Sequence, residues 1–163
     1  MPGQNYNLLF ICYDNATYSP VAESLITRWS DKQFSASSAG LIPAPGIHPF
    51  AIRILCEKAL PHPDHAPWPL ARLQRGYDYV FVLDERIPDR WLDQEGLSGE
   101  QLVDWRLPVP PGHRQQDWEE MRQYYAVLEH RVRMLACTLF GSLEDSLLYP
   151  RMSEIARFRP AVR

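Results

Sequence analysis

The sequence predicts a single α/β domain of three layers, a four-stranded parallel sheet flanked by helices. Short apolar runs, typical of strands buried on both faces, alternate with segments whose apolar residues recur every three or four positions. This alternation favours a parallel sheet with right-handed crossovers. The chain has 163 residues, of which 45% are hydrophobic and 23% charged, so its size and composition fit one globular domain.

The first two strand–helix pairs are marked by changes of pattern. Residues 8–11 form a continuous apolar run that ends at Cys12, and we expect this run to be the central strand. A helix should begin at Ser19, because serine caps free amide groups and the proline that follows is tolerated in the first turn. Residues 34–40 predict a second strand of small residues, and residues 49–60 predict a second helix.

The second half of the chain repeats this alternation. Residues 77–83 give the clearest strand pattern, and residues 101–105 predict a fourth, short strand. Apolar residues in the segment 117–140 step by three and four, which predicts a long amphipathic helix. We therefore divide the chain into a domain of residues 1–140 and a C-terminal extension of residues 141–163.

Composition argues against several classes of partner. The formal net charge of -3 and the isoelectric point near 5.9 give no basic surface for a nucleic acid or an anionic membrane. No apolar run approaches the ~20 residues that a membrane span requires. The polar first seven residues lack the basic start and long apolar stretch of a signal peptide. We expect a cytoplasmic protein that binds neither nucleic acid nor membrane.

The three cysteines do not form a recognisable scaffold. Cys12, Cys56 and Cys137 include no C-x-x-C pair and no cluster with histidine at the spacing of zinc ligands. We therefore expect neither disulfides nor a metal, and no cofactor is predicted. Cys56 and Cys137 fall within predicted helices, where we expect them to be small buried hydrophobic residues.

The turn between the first strand and the first helix, residues 12–19, is the expected functional loop. In open α/β sheets, ligands bind beyond the carboxyl ends of the strands, where this turn directs free amide groups into a crevice. A cysteine beside a helix N-terminus and several free amides should have a lowered thiol pKa and face a tetrahedral oxyanion. Cys12 is therefore a candidate nucleophile. A cysteine that ends a buried strand is also commonly a small core residue, and this alternative stays open.

Residues 8–23, LLFICYDNATYSPVAE, resemble the signature C-x-x-x-x-x-R-S-P-x-A-E of the low-molecular-weight protein tyrosine phosphatases and related arsenate reductases. The matching residues are Cys12, Asn15, Ser19, Pro20, Ala22 and Glu23. Ser-Ala-Gly at 38–40, the His-Pro helix start at 48–49 and the later strand and long helix follow in family order. The resemblance spans residues 6–140 and implies the fold of that family.

The resemblance also implies roles for individual residues. In that family the cysteine thiolate attacks phosphorus and the serine assists the thiolate as a leaving group, which implies that Cys12 and Ser19 are catalytic. The expected ligand is a phosphate, another oxyanion or a phosphoprotein. The residues that the resemblance places around that ligand are Tyr13, Asn15, Ala16, Thr17 and Tyr18.

Three departures from the family pattern all predict weaker catalysis. The arginine that grips the phosphoryl group is replaced by Tyr18, which offers one neutral hydroxyl in place of a planar cation. Val109 occupies the position of the aspartate that protonates the leaving group, and Asp104 is an unconventional substitute for it. Asp14 stands where glycine is usual, and its carboxylate would repel both a bound phosphate and a Cys12 thiolate.

These observations predict a low-molecular-weight protein tyrosine phosphatase-like protein with impaired catalysis, acting as a binding or regulatory module. One alternative is an active cysteine-dependent phosphatase on phosphotyrosine or a small phosphomonoester, with Asp104 as the acid and another cation in place of the arginine. A second alternative is an interaction protein whose contact surface is the tail after residue 141. Thioredoxin-linked arsenate reduction is not expected, because residues 84–92 contain no resolving cysteine.

Overall fold

The computed structural model describes residues 5–30, 33–63, 65–72, 76–97, 99–109, 117–138 and 145–157. The strands within these ranges are β1 (Tyr6–Cys12), β2 (Phe34–Gly40), β3 (Tyr79–Asp84) and β4 (Leu102–Leu107). The α-helices are α1 (Ser19–Trp29), α2 (Pro49–Glu57), α3 (Asp89–Gln94), α4 (Trp118–Ala136) and α5 (Asp145–Ile155).

The sheet is parallel throughout, with the strand order β2-β1-β3-β4. The prediction of a four-stranded parallel sheet with β1 in its interior is therefore confirmed. Residues 8–11 of β1 are completely buried, because the sheet carries helices on both faces. This position places Cys12 at the carboxyl end of an inner strand, directly before the turn that leads into α1.

Successive side chains of β1 point to opposite faces of the sheet and enter two separate cores. Leu8, Phe10 and Cys12 pack in the core that contains residues of α1, α2, α4 and α5. Leu9 and Ile11 pack in a smaller core with Val80, Val82 and Leu92 of α3. Cys12 therefore faces the layer formed by α1 and α4.

The sequence pattern placed several element ends imprecisely. The second helix ends at Glu57 and not at residue 60, because Ala59 adopts a left-handed conformation with φ 52. The His48 side chain caps the start of this helix by accepting a bond from the Phe50 amide at 3.0 Å. The short helix α3 and the helix α5 were not predicted.

Helix α5 lies within the segment 141–163 and packs against the main core. Leu148, Met152 and Ile155 are buried among residues of β4 and α4. The Trp105 indole donates to the Met152 carbonyl at 3.0 Å. The Arg131 guanidinium joins the Trp105 and Ala156 carbonyls at 2.9 and 3.0 Å. The division of the chain at residue 140 stays a prediction.

The expectation that Cys56 and Cys137 are buried is wrong, because both thiols are exposed. Cys56 lies on the solvent side of α2, and Cys137 follows the last residue of α4. In the part of the chain that the structure describes, no helix is both long enough and apolar enough to cross a membrane. The same residues contain no group of three or more histidine, cysteine or acidic side chains arranged to hold a metal.

Candidate active site

The turn from β1 to α1 folds around the Cys12 sulfur. The sulfur is fully buried and lies 3.0 Å from the Ser19 hydroxyl. The Ser19 amide, at the start of α1, donates to the same sulfur at 3.4 Å. The structure thus brings together the two residues for which the family resemblance implies catalytic roles.

Asn15 holds this turn in shape. Its backbone is left-handed with φ 50, a conformation that asparagine tolerates better than most residues. Its side-chain amide donates to the hydroxyls of Ser19 and Ser38 at 2.8 and 2.9 Å, and its carbonyl accepts from the Trp68 amide at 3.0 Å. A Cβ at Gly40 would lie 2.7 Å from the Asn15 nitrogen, so only glycine fits at the end of β2. Asn15 is therefore a positioning residue of the loop.

The Asp14 carboxylate lies on the free amides of the turn. Its Oδ1 accepts from the amides of Ala16 and Thr17 at 3.0 and 3.1 Å, and its Oδ2 accepts from the Thr17 hydroxyl at 2.8 Å. The Cys12 thiol donates to Oδ1 at 3.5 Å. We call these amides and the hydroxyl the anion site. The structure thus fixes the direction of a side chain that the sequence alone left unplaced.

A second charged group, Arg86, reaches the anion site from the segment that follows β3. Its Nη2 lies 3.5 Å from Asp14 Oδ2 and 2.6 Å from Asp84 Oδ2, and its Nε donates to Asp84 Oδ1 at 3.0 Å. Asp84 is fully buried and also accepts from the Tyr13 amide at 3.0 Å. The guanidinium lies 4.9 Å from the centroid of the Tyr13 ring. Sequence reasoning missed Asp84 and Arg86, although charged residues at the carboxyl end of a strand beside β1 were a usable signal.

The electrostatics of the site favour a neutral thiol beside an ionised carboxylate. Burial raises the pKa of the Cys12 thiol, and the charges of Asp14 and Asp84 raise it further, from 9.0 to about 11. Burial opposes ionisation of Asp14, but the bonds from Ala16 and Thr17 and the charge of Arg86 hold the pKa of that carboxyl below its ordinary value. The Cys12 pKa is therefore raised where the position beside a helix N-terminus led us to expect a lowered one, because burial and the charges of Asp14 and Asp84 outweigh the bonds from Ser19.

Ultraviolet titration of the Cys12 thiolate should give a midpoint near pH 11, and Asp14→Asn should lower it because a neighbouring negative charge is removed. The titration uses a background in which the exposed Cys56 and Cys137 are serine, with a Cys12→Ser protein subtracted to remove tyrosine absorbance. Asp93→Asn, a change on the exposed side of α3, is the charge-matched control. A wild-type midpoint below 9.0 would contradict the assigned electrostatics.

Tyr18 packs in the larger core beside the turn. Its side chain is fully buried, and its hydroxyl donates to the Pro108 carbonyl at 2.5 Å. The ring makes an edge contact with Tyr125, with centroids 5.6 Å apart. The Tyr125 hydroxyl in turn donates to the Thr17 carbonyl at 2.9 Å. Tyr18 thus joins the loop to the core and to the segment after β4, and its contact with a substrate stays a prediction.

The structure does not bring Asp104 to Cys12. Its side chain is 65% exposed and pairs with Arg106 at 3.1 Å. Its neighbours on β4, Val103 and Trp105, pack in the core that Cys12 faces, so Asp104 points to the opposite face of the sheet.

The carboxylate that the structure places beside Val109 is Glu85. The Val109 amide donates to Glu85 Oε1 at 3.1 Å, and the Glu85 amide donates to the Leu107 carbonyl at the end of β4 at 3.1 Å. Val109 itself packs its side chain against the larger core. An acidic group thus lies next to the backbone position at which the family resemblance implies a general acid.

Comparisons with known proteins agree with this architecture. The family model described as "Low molecular weight phosphotyrosine protein phosphatase" matches residues 7–144. The low molecular weight protein-tyrosine-phosphatase Wzb of Escherichia coli K12 is 28% identical over an alignment of 141 residues, which covers 82% of this chain and 95% of that protein.

Solved structures share the fold. A protein tyrosine phosphatase superimposes with a TM-score of 0.67 at 26% identity and covers 85% of this chain and 98% of its own. Vibrio vulnificus Wzb in complex with benzylphosphonate superimposes with a TM-score of 0.63 at 16% identity and covers 80% of this chain and 97% of its own. Because the family model matches most of the chain, the protein belongs to the low molecular weight phosphotyrosine protein phosphatase family.

Proposed function

We propose that this protein hydrolyses phosphomonoesters very slowly or not at all and acts as a binding or regulatory module through the loop of residues 12–19. The observation that carries the proposal is the Asp14 carboxylate, which occupies the amides of Ala16 and Thr17 and lies 3.5 Å from the Cys12 sulfur. A substrate phosphoryl group needs those donors and must also approach that sulfur. The resident carboxylate competes for the donors and repels the anion.

The Cys12 thiol is also a weak nucleophile. Thiolate, not thiol, attacks phosphorus. With a Cys12 pKa of about 11, only about one thiol in ten thousand is ionised at pH 7. The ionised Asp14 carboxylate contributes to this raised pKa, so burial and that charge together slow formation of a cysteinyl-phosphate.

The remaining catalytic groups are also changed. Each charge-assisted bond from an arginine is worth about 1.5–3 kcal/mol, and the loop position that would supply those bonds carries the buried Tyr18. General acid catalysis contributes ~100- to 10,000-fold, and the position of the acid carries Val109. Loss of both groups supports a rate several orders of magnitude below that of the intact family motif.

The ligand class that the proposal assigns is a phosphate, another oxyanion or a phosphoprotein. The benzylphosphonate complex of Vibrio vulnificus Wzb supports this class, because that protein shares the fold and binds a phosphonate. Cys12 lies buried as a free thiol, and the other two cysteines are also free. Free thiols suit a reducing cytoplasm, which is the location we propose.

Hydrolysis of p-nitrophenyl phosphate and of a phosphotyrosine peptide tests the proposal directly. We expect turnover several orders of magnitude below the common enzyme range of ~1–1,000 per second, with the same residual rate in Cys12→Ala. A wild-type turnover within that range that is abolished in Cys12→Ala would refute impaired catalysis.

The alternative function is an active phosphatase, and two contacts favour it. Arg86 offers a cation 3.5 Å from Asp14, and Glu85 offers a carboxylate beside Val109. If cysteine-dependent turnover is found, Glu85→Gln and Asp104→Asn identify the acid. A loss of rate confined to Glu85→Gln assigns the acid to Glu85, and a loss confined to Asp104→Asn assigns it to Asp104.

A further inference from the structure

The donors around Asp14 resemble those that an oxyanion requires. Two backbone amides, one hydroxyl and one guanidinium converge on its carboxylate, at distances from 2.8 to 3.5 Å. Amides grouped at a helix N-terminus favour an anion, and a guanidinium adds a charge-assisted bond. The carboxylate of this chain therefore takes the donors that a tetrahedral anion would use.

The backbone of the turn is held independently of the Asp14 side chain. The Ile42 amide donates to the Tyr13 carbonyl at 2.9 Å, and the Ala44 amide donates to the Asp14 carbonyl at 2.9 Å. The next residue in the turn, Asn15, is held by the bonds from its side-chain amide to the Ser19 and Ser38 hydroxyls. Rotation of the Asp14 side chain alone would therefore free the amides while the turn keeps its shape.

Removal of Asp14 changes the net charge of the group that surrounds Arg86. Its guanidinium now faces two carboxylates, Asp84 and Asp14, so this group of three carries a net charge of about -1. Without Asp14 the pair of Arg86 and Asp84 is neutral, and the Ala16 and Thr17 amides are unoccupied. An incoming anion then meets unoccupied amides beside an Arg86–Asp84 pair that carries no net charge.

We propose that Asp14 is a built-in anion that closes the anion site, and that Arg86, reaching the loop from the end of β3, is the cation of that site. The ligand class is a tetrahedral oxyanion, which binds when the Asp14 carboxylate leaves the amides. The proposal rests on the proposed function, since it explains how a member of this family keeps the site closed. It assigns to Arg86 the role that the residue at position 18 does not perform.

Isothermal titration with inorganic phosphate at constant ionic strength tests the proposal. We expect Asp14→Ala to bind phosphate about tenfold or more tightly than the wild type, the change that follows from freeing one set of charge-assisted donors. Adding Arg86→Gln to Asp14→Ala should weaken binding by about tenfold or more. Asp93→Ala and, in the Asp14→Ala background, Arg106→Gln are charge-matched controls and should leave the affinity within about twofold.

Arg86→Gln leaves the buried Asp84 without its cation, and such a change often destabilises a protein. A second variant combines Arg86→Gln with Asp84→Asn in the Asp14→Ala background. It removes both charges of the ion pair, so phosphate affinity is measured without an unpaired buried carboxylate. Circular dichroism and thermal unfolding establish that each variant is folded before titration.

The outcomes separate this inference from the proposed function. Equal phosphate affinity in the wild type and Asp14→Ala overturns the role of Asp14, and unchanged affinity on loss of Arg86 overturns the role of Arg86. If either result is found while the wild type hydrolyses phosphate esters no faster than Cys12→Ala, only this inference fails and the proposed function stands. Cysteine-dependent turnover in the wild type would instead refute the proposed function, whatever the titrations give.

Discussion

Replacing Leu148 by alanine should lower the free energy of unfolding by about 2–5 kcal/mol, the usual cost of truncating a fully buried leucine. Leu148 lies in α5 and is completely buried against the core that β4 and α4 form. The loss is a large part of the ~5–15 kcal/mol that stabilises an ordinary domain. Urea unfolding followed by tryptophan fluorescence measures it, since Trp105 bonds directly to α5.

The neighbouring residue supplies a matched control. Leu147 is 52% exposed on the same helix, so Leu147→Ala should change the free energy of unfolding by only about 0.5 kcal/mol. Equal, small effects of both substitutions would show that α5 contributes little to the stability of the fold. The segment 141–163 would then be a detachable extension, as the division at residue 140 proposes.

The strands were predictable because burial on both faces leaves a strong mark in the sequence. A continuous apolar run such as residues 8–11 is compatible with an inner strand, and the helical spacing after Ser19 fixed where the turn must lie. Helix α5 was missed for a physical reason. Its apolar residues are scattered, and it contains Pro150, which lacks an amide hydrogen and normally interrupts a helix, so its sequence gives no clear helical pattern. Packing of α5 on β4 outweighs that local preference.

The site was predictable only in part. The cysteine, the serine and the asparagine of the loop were found because they keep the spacing of a known motif, and the structure brings them into contact. The direction of Asp14 depends on one side-chain rotation, which no spacing reveals. Arg86 is 72 residues from Asp14 in the chain, and their contact depends on the pairing of β1 with β3. The bond from the Tyr18 phenol to the Pro108 carbonyl, 90 residues away in the chain, was likewise not readable from spacing.

Combining Tyr18→Arg, Asp14→Gly and Val109→Asp should raise aryl phosphate hydrolysis by about 100- to 10,000-fold over the wild type, whereas each change alone does little. Asp14→Gly frees the Ala16 and Thr17 amides, Tyr18→Arg supplies a bidentate cation, and Val109→Asp supplies an acid. The Glu85 carboxylate accepts from the amide of position 109, so the new carboxyl would lie near a negative charge that disfavours its ionisation.

Two further variants decide how the restored activity arises. The triple variant carrying Cys12→Ala should be inert, because the nucleophile is absent. The double variant Asp14→Gly with Val109→Asp relies on Arg86 as its cation, so its rate relative to the triple variant measures how far that residue replaces a loop arginine. Tyr18→Arg removes the buried bond to Pro108 and should cost about 1–3 kcal/mol of stability, so rates are compared at a temperature where every variant is folded. A folded triple variant that binds no phosphate and stays inert would mean that positions 18 and 109 do not correspond to the catalytic positions of the family.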